Sequence, residues 1–243
     1  MKKSKNLIKT ILTLGITVFL IIAAYFNVDI EAYLQKTQND NVISYTTSFN
    51  LSTIPTFTDT PYVVLNDNKP EFKEEDFQRE VFEDYSPLDY LGRCGPAFAK
   101  IGLETVPIKE RESIGSVKPS GWKTVKYDNI DGKYLYNRCH LIGYQLTAEN
   151  ANERNLITGT RYMNIQGMLP FENMVAEYVK STKNHVLYRV TPIFEDDNLV
   201  ANGVQIEAES IEDKGKGICF NVYVYNVQPG IYINYNNGES TQV

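Results

Sequence analysis

The chain has 243 residues and a formal net charge of −6, from 24 basic and 30 acidic side chains. Its hydrophobic content of 42% and charged content of 22% are those of an ordinary soluble fold, and its length suits one globular domain with additional segments. Taken over the whole chain, the negative charge argues against a polyanionic partner, and no internal repeat or low-complexity tract is present.

The N-terminal segment differs from the rest of the chain because an uncharged run over residues 11–28 follows four lysines. Such a run is typical of a signal-peptide core or of a single membrane-spanning helix, which needs about 20 apolar residues. It ends in "IIAAYFNVD", where only Ala23 and Ala24 offer a cleavage site. We therefore favour an uncleaved membrane anchor over residues 1–28, with its lysines in the cytoplasm and the remaining chain outside the cell. Cleavage would instead secrete the protein.

Two further segments precede the expected core. Residues 29–61 are rich in Ser, Thr and Asn without a sustained apolar period, which is typical of a polar spacer. The acidic stretch 66–84 is a candidate short helix. We expect the folded domain to occupy residues 62–243.

Seven segments of this domain have the composition of strands, rich in Val, Ile, Tyr and Phe and bounded by turn residues. They are Tyr62–Leu65, Tyr90–Ala99, Trp122–Tyr127, Tyr134–Cys139, His185–Phe194, Leu199–Glu207 and Ile218–Asn226. The short turns between the last three predict an antiparallel meander. Thr160–Lys180 is the helical candidate, with breaks expected at Gly167 and Pro170 and a second helix starting at Pro170. These elements predict an α+β architecture around a central antiparallel sheet.

The three cysteines form an odd set, so a complete disulfide framework is excluded. One bridge between Cys94 and Cys139 and three free thiols, with Cys219 the third, remain equal alternatives. Three cysteines and two histidines without C-x-x-C spacing give no support for a zinc site.

Charge is distributed unevenly along the chain. Residues 86–190 carry 14 basic and 10 acidic side chains, whereas residues 66–85 carry 3 and 8, and residues 191–243 carry 2 and 8. The middle segment is therefore basic between two acidic flanks. A locally basic surface is compatible with a nucleic-acid substrate.

The middle segment also contains a set of side chains suited to phosphodiester chemistry. His140 is a candidate general base, and Arg138, two residues earlier on a predicted strand, shares its face. Three oxygen donors of the type that Mg²⁺ prefers and two guanidinium groups that match phosphate follow in the sequence. They are Asn155, Asn164 and Glu172, and Arg154 and Arg161. His185, which opens an apolar strand, is given no role.

The spacing within this run is similar to that of a known family. The stretch "NRCHLIGYQL…NLITGTRYMNIQGMLPFE" resembles the DNA/RNA non-specific endonucleases of the ββα-metal (His-Me finger) class, especially the membrane-anchored DNA-entry nucleases and secreted nucleases of Gram-positive bacteria. In that family a D-R-G-H motif precedes two asparagines nine residues apart, and in related enzymes an acidic residue lies eight further on. Asn155, Asn164 and Glu172 have this spacing. The likeness extends from about Tyr85 to the C-terminus through "GRCG" (92–95), "SGW" (120–122) and "NVYVYNVQPG" (221–230).

The resemblance implies a ββα-metal nuclease fold, with helices flanking the central sheet and the transmembrane helix preceding it. It implies that His140 deprotonates the attacking water and that Asn164 ligates a largely hydrated Mg²⁺, for which Mn²⁺ would substitute, without an organic cofactor. Asn155 would support the histidine loop or the metal-bound waters. Glu172 would act through water, because eight helical residues rise about 12 Å.

The resemblance also implies how the substrate is held. Arg138 would contact the phosphates, and Arg154, Arg161 and Arg111 are further candidates for this role. The implied substrate is DNA, with RNA as a second candidate, and contacts to phosphates would make cleavage independent of sequence. The leading hypothesis is thus an extracellular, Mg²⁺-dependent endonuclease tethered to the cytoplasmic membrane.

Two residues depart from the family motif, since Asn137 replaces its Asp and Cys139 its Gly. They motivate a second hypothesis, a surface protein on the same fold that binds nucleic acid but is weak or inactive as an enzyme. A third, a nuclease toxin delivered to competitor cells, is disfavoured by the N-terminal anchor. A Cys139–His140 protease is disfavoured because adjacent residues of a strand point to opposite faces.

Overall fold

The computed structural model describes residues 51–243 of the chain, which contain ten strands and four helices longer than a single 3₁₀ turn. The strands are β1 (Tyr62–Val64), β2 (Glu83–Tyr85), β3 (Ala97–Ile101), β4 (Tyr136–His140), β5 (Leu156–Thr160), β6 (Val186–Ile193), β7 (Gly203–Ser210), β8 (Cys219–Tyr225), β9 (Ile231–Asn234) and β10 (Glu239–Gln242). The helices are α1 (Glu74–Gln78), α2 (Tyr144–Thr147), a π-helix (Met163–Met168) and α3 (Leu169–Thr182). Short 3₁₀ turns occupy Leu51–Thr53, Asn66–Asn68 and Glu153–Asn155.

The predicted anchor over residues 1–28 and the first part of the predicted spacer lie outside the described residues. Within residues 51–243, no helix has both the length and the apolar character needed to cross a membrane. The segment just before β1 packs on the domain. The Phe57 ring lies edge-on against Tyr162 and Tyr225, and the Tyr225 hydroxyl donates to the Pro55 carbonyl at 2.6 Å.

A six-stranded antiparallel sheet in the order β1-β8-β7-β6-β3-β2 forms the centre of the fold. The consecutive strands β6, β7 and β8 are neighbours, so the predicted meander is confirmed. Their Val, Ile and Tyr side chains are buried on both faces of the sheet. One face is covered by α3, whose Val175 and Val179 are fully buried in the main hydrophobic core. The architecture is α+β, as predicted.

Outside the large sheet, β4 and β5 form an antiparallel hairpin with a register that runs from Tyr136 opposite Thr160 to His140 opposite Leu156. The π-helix and α3 follow β5 after two residues. Two strands and a helix thus form one continuous ββα unit. A second hairpin, β9–β10, packs with the start of β4 in a smaller hydrophobic cluster.

The helix after β5 is unbroken where the sequence suggested two breaks. It begins at Met163 as a π-helix and continues from Leu169 as α3. Pro170 lies one residue after this change of helix type, where its missing N–H interrupts one hydrogen bond of the ladder. Gly167 lies within the π-helix, and a Cβ built there would be 2.3 Å from Val224 Cγ1 of β8. Glycine at this position therefore lets the helix approach the central sheet closely.

Several strand predictions were displaced or wrong. The strand expected over Tyr90–Ala99 is confined to Ala97–Ile101, because a turn with Gly92 at φ +72° precedes it. Trp122–Tyr127 is an extended loop with a single bridge from Lys126 to Tyr134. The strand expected over Leu199–Glu207 lies at Gly203–Ser210. The short strands β2, β5, β9 and β10 were not predicted, whereas a short helix in the acidic stretch is confirmed as α1.

The structure shows the state of the three cysteines and the partners of the second histidine, His185. All three thiols are free, so the alternative of a Cys94–Cys139 bridge is wrong. His185 lies between two carboxylates, with Nδ1 2.5 Å from Glu212 Oε1 and Nε2 2.9 Å from Glu104 Oε1. The hydrogen bond with Glu212 is the main cause of a raised His185 pKa. His185 connects two surface turns and does not line the groove described below.

The close approach at Gly167 predicts an unusual response to alanine. In an open helix interior, Gly→Ala stabilises by about 1 kcal/mol. At Gly167 the new methyl group would collide with Val224, so we expect Gly167→Ala to destabilise the fold by about 1–3 kcal/mol, measured by urea unfolding. In a Val224→Ala background the same change is expected to be neutral or stabilising. A stabilised Gly167→Ala single variant would contradict the packing described here.

Candidate active site

A groove with a volume of about 390 Å³ lies where the β4–β5 hairpin meets the π-helix and the start of α3. Its wall contains six ionisable or amide side chains singled out from the sequence: Arg111, Arg138, His140, Arg161, Asn164 and Glu172. Gly143, Tyr144, Gln145, Ile165 and Leu169 complete it. The ββα unit thus brings His140 on β4 and Asn164 on the π-helix to one groove.

His140 ends β4 and is only 6% exposed. Its Nε2 lies 2.7 Å from the carbonyl oxygen of Asn150. A carbonyl oxygen accepts only, so Nε2 carries the proton and neutral His140 keeps its lone pair on Nδ1. Nδ1 is 3.4 Å from a terminal nitrogen of Arg111, at the far end of hydrogen-bond range. The nitrogen able to act as a base is therefore the one beside an exposed arginine.

The pKa of His140 is lowered to about 4, mainly because burial disfavours the charged imidazolium. The positive charge of Arg111 lowers this pKa further, while the hydrogen bond to Asn150 opposes the shift. The imidazole is consequently neutral at physiological pH, which is the form that can take a proton.

Asn155 holds the backbone that follows His140. Its side-chain oxygen accepts from the Ile142 N–H at 2.9 Å, and its side-chain nitrogen donates to the Ile142 carbonyl at 2.9 Å. The Leu141 N–H also donates to the Asn155 carbonyl at 2.9 Å. Asn155 is fully buried, and both ends of its amide are occupied. Of the two roles considered for it, these contacts are those of a support for the histidine loop.

Asn164 is the second residue of the π-helix and is partly exposed in the groove. Its main-chain carbonyl accepts from the Leu169 N–H, an i to i+5 bond of the π-helix. Its side-chain amide makes no hydrogen bond within residues 51–243, in contrast to Asn155. An amide oxygen is thus available at the groove wall.

Glu172 lies in the first turn of α3, and its carboxyl group packs against the backbone of Gly143. A Cβ built at Gly143 would be 2.3 Å from Glu172 Oε2, so a larger residue there would require the Glu172 carboxyl group to move. Burial raises the pKa of Glu172 to about 7. Near neutral pH this carboxyl group is therefore protonated in a substantial fraction of molecules, which lowers the negative charge in the groove.

Two of the arginines lining the groove are held in place by the protein. Arg138 donates from Nε to the Val117 carbonyl and from a terminal nitrogen to the Gly115 carbonyl at 2.9 Å. Its guanidinium carbon also lies 4.0 Å from the centre of the Trp122 ring. Arg161 pairs with Asp131 at 2.8 Å. These anchors orient the positive charges along the groove wall.

Arg111, Arg161 and Arg154 differ in their exposure and in their distance from the groove. Arg111 is exposed and lines the groove beside His140. Arg161 Nε is buried and has no hydrogen-bond partner within the described residues, so one donor of this guanidinium is free. Arg154 is exposed in the 3₁₀ turn before β5 and is not part of the groove wall. Its position gives no support to the predicted phosphate contact.

The two departures from the family motif are accommodated differently. Cys139 is fully buried in the main core, and burial raises its pKa. A Cβ built at Gly159 of β5 would be 2.4 Å from Cys139 Sγ, so the thiol occupies space that a glycine leaves free. Asn137 lines the adjoining part of the groove, where its buried Nδ2 has no hydrogen-bond partner within residues 51–243. The core accommodates Cys139, but Asn137 leaves a donor unsatisfied.

Several residues of the site were not found by sequence reasoning. Asn150 orients His140 through a backbone carbonyl, which leaves no side-chain signal. Trp122, considered only as part of a motif and of a predicted strand, stacks on Arg138. Gly143, Tyr144 and Gln145 line the groove because α2 begins at Tyr144, only four residues after the histidine.

The donors at the groove suit a hydrated hard cation better than a zinc ion. Within residues 51–243, no cluster of three or more His, Cys, Asp and Glu side chains could hold a metal. The available groups are the unpaired amide of Asn164 and the carboxyl group of Glu172. Amide and carboxyl oxygens with water are the ligands that Mg²⁺ prefers.

A hairpin that presents a neutral histidine, followed by a helix that presents an unpaired asparagine to the same groove, is the layout of a ββα-metal nuclease. The family model of the DNA/RNA non-specific endonucleases matches residues 75–212, which include both side chains. The chain belongs to this family. It is a hydrolytic nuclease whose substrate is nucleic acid.

Solved nuclease structures have a similar fold. NucA from Streptococcus agalactiae with a magnesium ion bound has a TM-score of 0.69 at 25% identity, over 79% of this chain and 91% of that chain. Its form without metal gives 0.68 at 25% identity, over 79% and 92%. The Sda1 nuclease with a bound zinc ion gives 0.63 at 25% identity, over 76% and 97%.

The different environments of the two asparagines predict different effects on stability. Asn155→Ala leaves the N–H and carbonyl of Ile142 buried without partners, so we expect a loss of about 2 kcal/mol or more in the free energy of unfolding. Asn164→Ala removes an amide that bonds nothing in the described chain, and its effect is expected to stay within about 0.5 kcal/mol. Chemical denaturation of both variants measures this. Equal stability of the two would exclude the supporting role of Asn155.

Proposed function

We propose that this protein is an extracellular, membrane-tethered endonuclease that depends on Mg²⁺ and cleaves DNA, with RNA as a second candidate substrate, without sequence specificity. The observation that carries the proposal is the shared groove, in which neutral His140 and unpaired Asn164 lie beside three arginines. No single side chain of this set identifies the reaction. Their combination matches the needs of phosphodiester hydrolysis, namely a base, a cation ligand and groups that hold an anion.

In the proposed reaction, His140 Nδ1 takes a proton from a water molecule while the oxygen of that water attacks the phosphorus atom. The bond from phosphorus to the 3′ oxygen then breaks, and a solvent proton restores the leaving hydroxyl. The hydrogen bond from Nε2 to Asn150 fixes the imidazole so that Nδ1 faces the groove. It also stabilises the positive charge that His140 acquires on protonation.

The residues that would hold Mg²⁺ are Asn164, as the direct protein ligand, and Glu172, through water. When bound, the cation supplies charge stabilisation for the phosphoryl oxygens and the leaving oxygen. Mn²⁺, which accepts the same oxygen ligands, is expected to substitute. The magnesium-bound form of the similar NucA structure supports this choice of cation.

The arginines explain why cleavage is expected to be independent of the nucleotide sequence of the substrate. Arg138, Arg161 and Arg111 present guanidinium groups to the groove, and such groups bind phosphates irrespective of the base. Binding through phosphates releases counterions, so rising salt concentration is expected to weaken it. Arg154 is kept only as a peripheral contact outside the groove.

Membrane tethering rests on the sequence of residues 1–28 and on the lysines that precede the uncharged run. The proposed nuclease domain over residues 62–243 would then lie outside the cell, with the spacer over residues 29–61 between it and the membrane. Cleavage of the N-terminal segment would release the same nuclease domain as a secreted enzyme.

A second candidate function is nucleic-acid binding without efficient cleavage. The observation that favours it is Asn137, whose unpartnered Nδ2 stands where the family motif has a carboxylate. An amide cannot supply the negative charge that would stabilise a protonated histidine. The two candidates differ in one measurable property, since a binder shifts DNA in a gel and leaves its phosphodiester bonds intact.

A plasmid-nicking assay tests both candidates. The full-length protein in a mild non-ionic detergent is expected to convert supercoiled plasmid with Mg²⁺ and to lose this activity in EDTA. His140→Ala is expected to lower the rate at least about 100-fold, the usual contribution of a general base. Asn164→Ala is expected to lower it by a comparable factor, because it removes the proposed direct ligand of the cation. His185→Gln, which changes the histidine outside the groove, serves as the matched control. Intact plasmid with a gel shift that His140→Ala leaves unchanged would favour the binder.

The pKa of His140 predicts the acid limit of activity. A general base acts in its neutral form, so a pKa of about 4 keeps His140 active down to roughly pH 5. Arg111→Gln removes a positive charge that lowers this pKa, and we expect the acid limb of the kcat/KM profile to move to higher pH. Arg111→Lys keeps the charge and should leave the limb near its original position. A wild-type limb near the ordinary histidine pKa, unmoved by Arg111→Gln, would contradict this account.

A further inference from the structure

The groove continues beyond the catalytic residues into a second compartment of about 480 Å³. Arg111, Arg138, Arg161 and Asn164 line both compartments, so the two form one continuous surface. The rest of the second compartment differs in character from the first. Its walls include Ile114, Trp122, Thr124 and Tyr134. A charged end and an aromatic end thus adjoin at the proposed site of phosphate binding.

Tyr134 is the exposed aromatic residue of this compartment, with 47% of its surface accessible. Its hydroxyl makes no hydrogen bond within residues 51–243, and its ring is contacted by Lys126 Nζ at 4.5 Å from the centroid. Tyr136, two residues later, provides a contrast. It is buried, and its hydroxyl donates to the Gly238 carbonyl at 3.0 Å. Packing and a hydrogen bond explain Tyr136, whereas the fold contacts the exposed Tyr134 ring through the Lys126 ammonium group.

Trp122 shapes the compartment from another side. Its ring is half-buried and already stacked on the Arg138 guanidinium. This stacking connects the wall of the aromatic end to an arginine that also lines the catalytic end. Tyr134 also has a cationic neighbour, Lys126, but its ring is more exposed than that of Trp122 and is therefore the one better placed to contact a ligand.

We propose that this compartment binds an unpaired nucleobase next to the scissile phosphate, stacked on Tyr134, and that the preferred substrate class is single-stranded nucleic acid. The inference rests on the proposed nuclease function. Guanidinium groups at one end match a phosphate, and an exposed aromatic ring at the other matches a base, which are the two parts of a nucleotide.

The preference for single strands follows from the geometry of a duplex. A paired base is stacked between its neighbours and cannot lie against a protein ring unless it is first extruded, which costs free energy. In a single strand the base is already free to leave its neighbours. Stacking tolerates every base because each has an aromatic face, so the subsite is compatible with cleavage that ignores sequence.

Two oligonucleotides of equal length test the subsite. One is a thymidine oligonucleotide, and the other carries abasic tetrahydrofuran units with every phosphate kept. With the full-length protein in mild detergent and Mg²⁺, we expect kcat/KM to be at least about 10-fold higher for the thymidine strand, within the range measured for base–aromatic stacking. Cleavage of the thymidine strand should also exceed that of the same sequence in a blunt duplex.

Variants of Tyr134 test whether this residue causes the preference for the thymidine strand over the abasic strand. Tyr134→Ala is expected to lower kcat/KM on the thymidine strand by about 10-fold and to leave the abasic strand unchanged. Tyr134→Phe keeps the ring and should retain the preference. Tyr232→Ala, which removes a tyrosine that is 61% exposed outside the groove, should behave like the wild type. A thermal melt of each variant checks that the fold is intact.

The outcomes separate the two proposals. Equal cleavage of both strands by the wild type overturns the subsite and leaves the nuclease function standing. A Tyr134→Ala variant that loses activity equally on both strands also overturns it, because its contribution would then not involve a base. Absence of cleavage on either strand, with plasmid also intact, overturns the nuclease function itself.

Discussion

The amide of Asn155 is the contact on which the geometry of the site depends. It closes two hydrogen bonds with the N–H and carbonyl of Ile142, in a region where neither group can reach water. The β4–β5 pairing thereby continues past the last residue of the hairpin and fixes the chain on both sides of His140. A buried backbone group left without a partner costs about 1–3 kcal/mol, so this arrangement has few alternatives. The position of the imidazole follows from it.

Once the backbone is fixed, the protonation of His140 is fixed as well. The Asn150 carbonyl accepts the Nε2 proton, and burial keeps the ring neutral. The orienting group is a main-chain oxygen, so the usual carboxylate partner of a catalytic histidine is not needed to select the tautomer. A carboxylate partner both orients the imidazole ring and supplies a negative charge. The Asn150 carbonyl orients the ring but adds no full negative charge.

The groove is electropositive although the protein as a whole carries a net charge of −6. Arg138 and Arg161 are restrained by carbonyl groups and by Asp131, and burial raises the Glu172 pKa to about 7. Restrained guanidinium groups lose less side-chain entropy when they bind a phosphate than free ones do. The acidic segments 66–85 and 191–243 also discourage polyanion binding elsewhere on the surface. Local placement of charge, and not its total, therefore makes this groove positive in an acidic protein.

Much of this arrangement could be predicted from the sequence, and the exceptions have physical reasons. Runs of Val, Ile and Tyr predicted the β6–β8 meander because such residues fit a sheet buried on both faces. The spacing of His140, Asn155 and Asn164 predicted the ββα unit through family resemblance. Strand β5 was not predicted because it has only five residues and one of them, Gly159, is unfavourable in a strand. Glycine is present there because a side chain would collide with Cys139 on the neighbouring strand. The loop that carries Trp122 has no periodic pattern, so its stack on Arg138 could only be seen in three dimensions.

The two departures from the family motif therefore have unequal consequences. Cys139 is absorbed by the fold, because Gly159 leaves the volume that the thiol fills and the core excludes it from the groove. Asn137 is not absorbed, since its Nδ2 is buried without a partner at the wall of the site. An aspartate there would place no donor in that position and would bring a negative charge close to the groove. The substitution therefore leaves an unsatisfied donor at the wall of the groove, in the position where the family motif has a carboxylate.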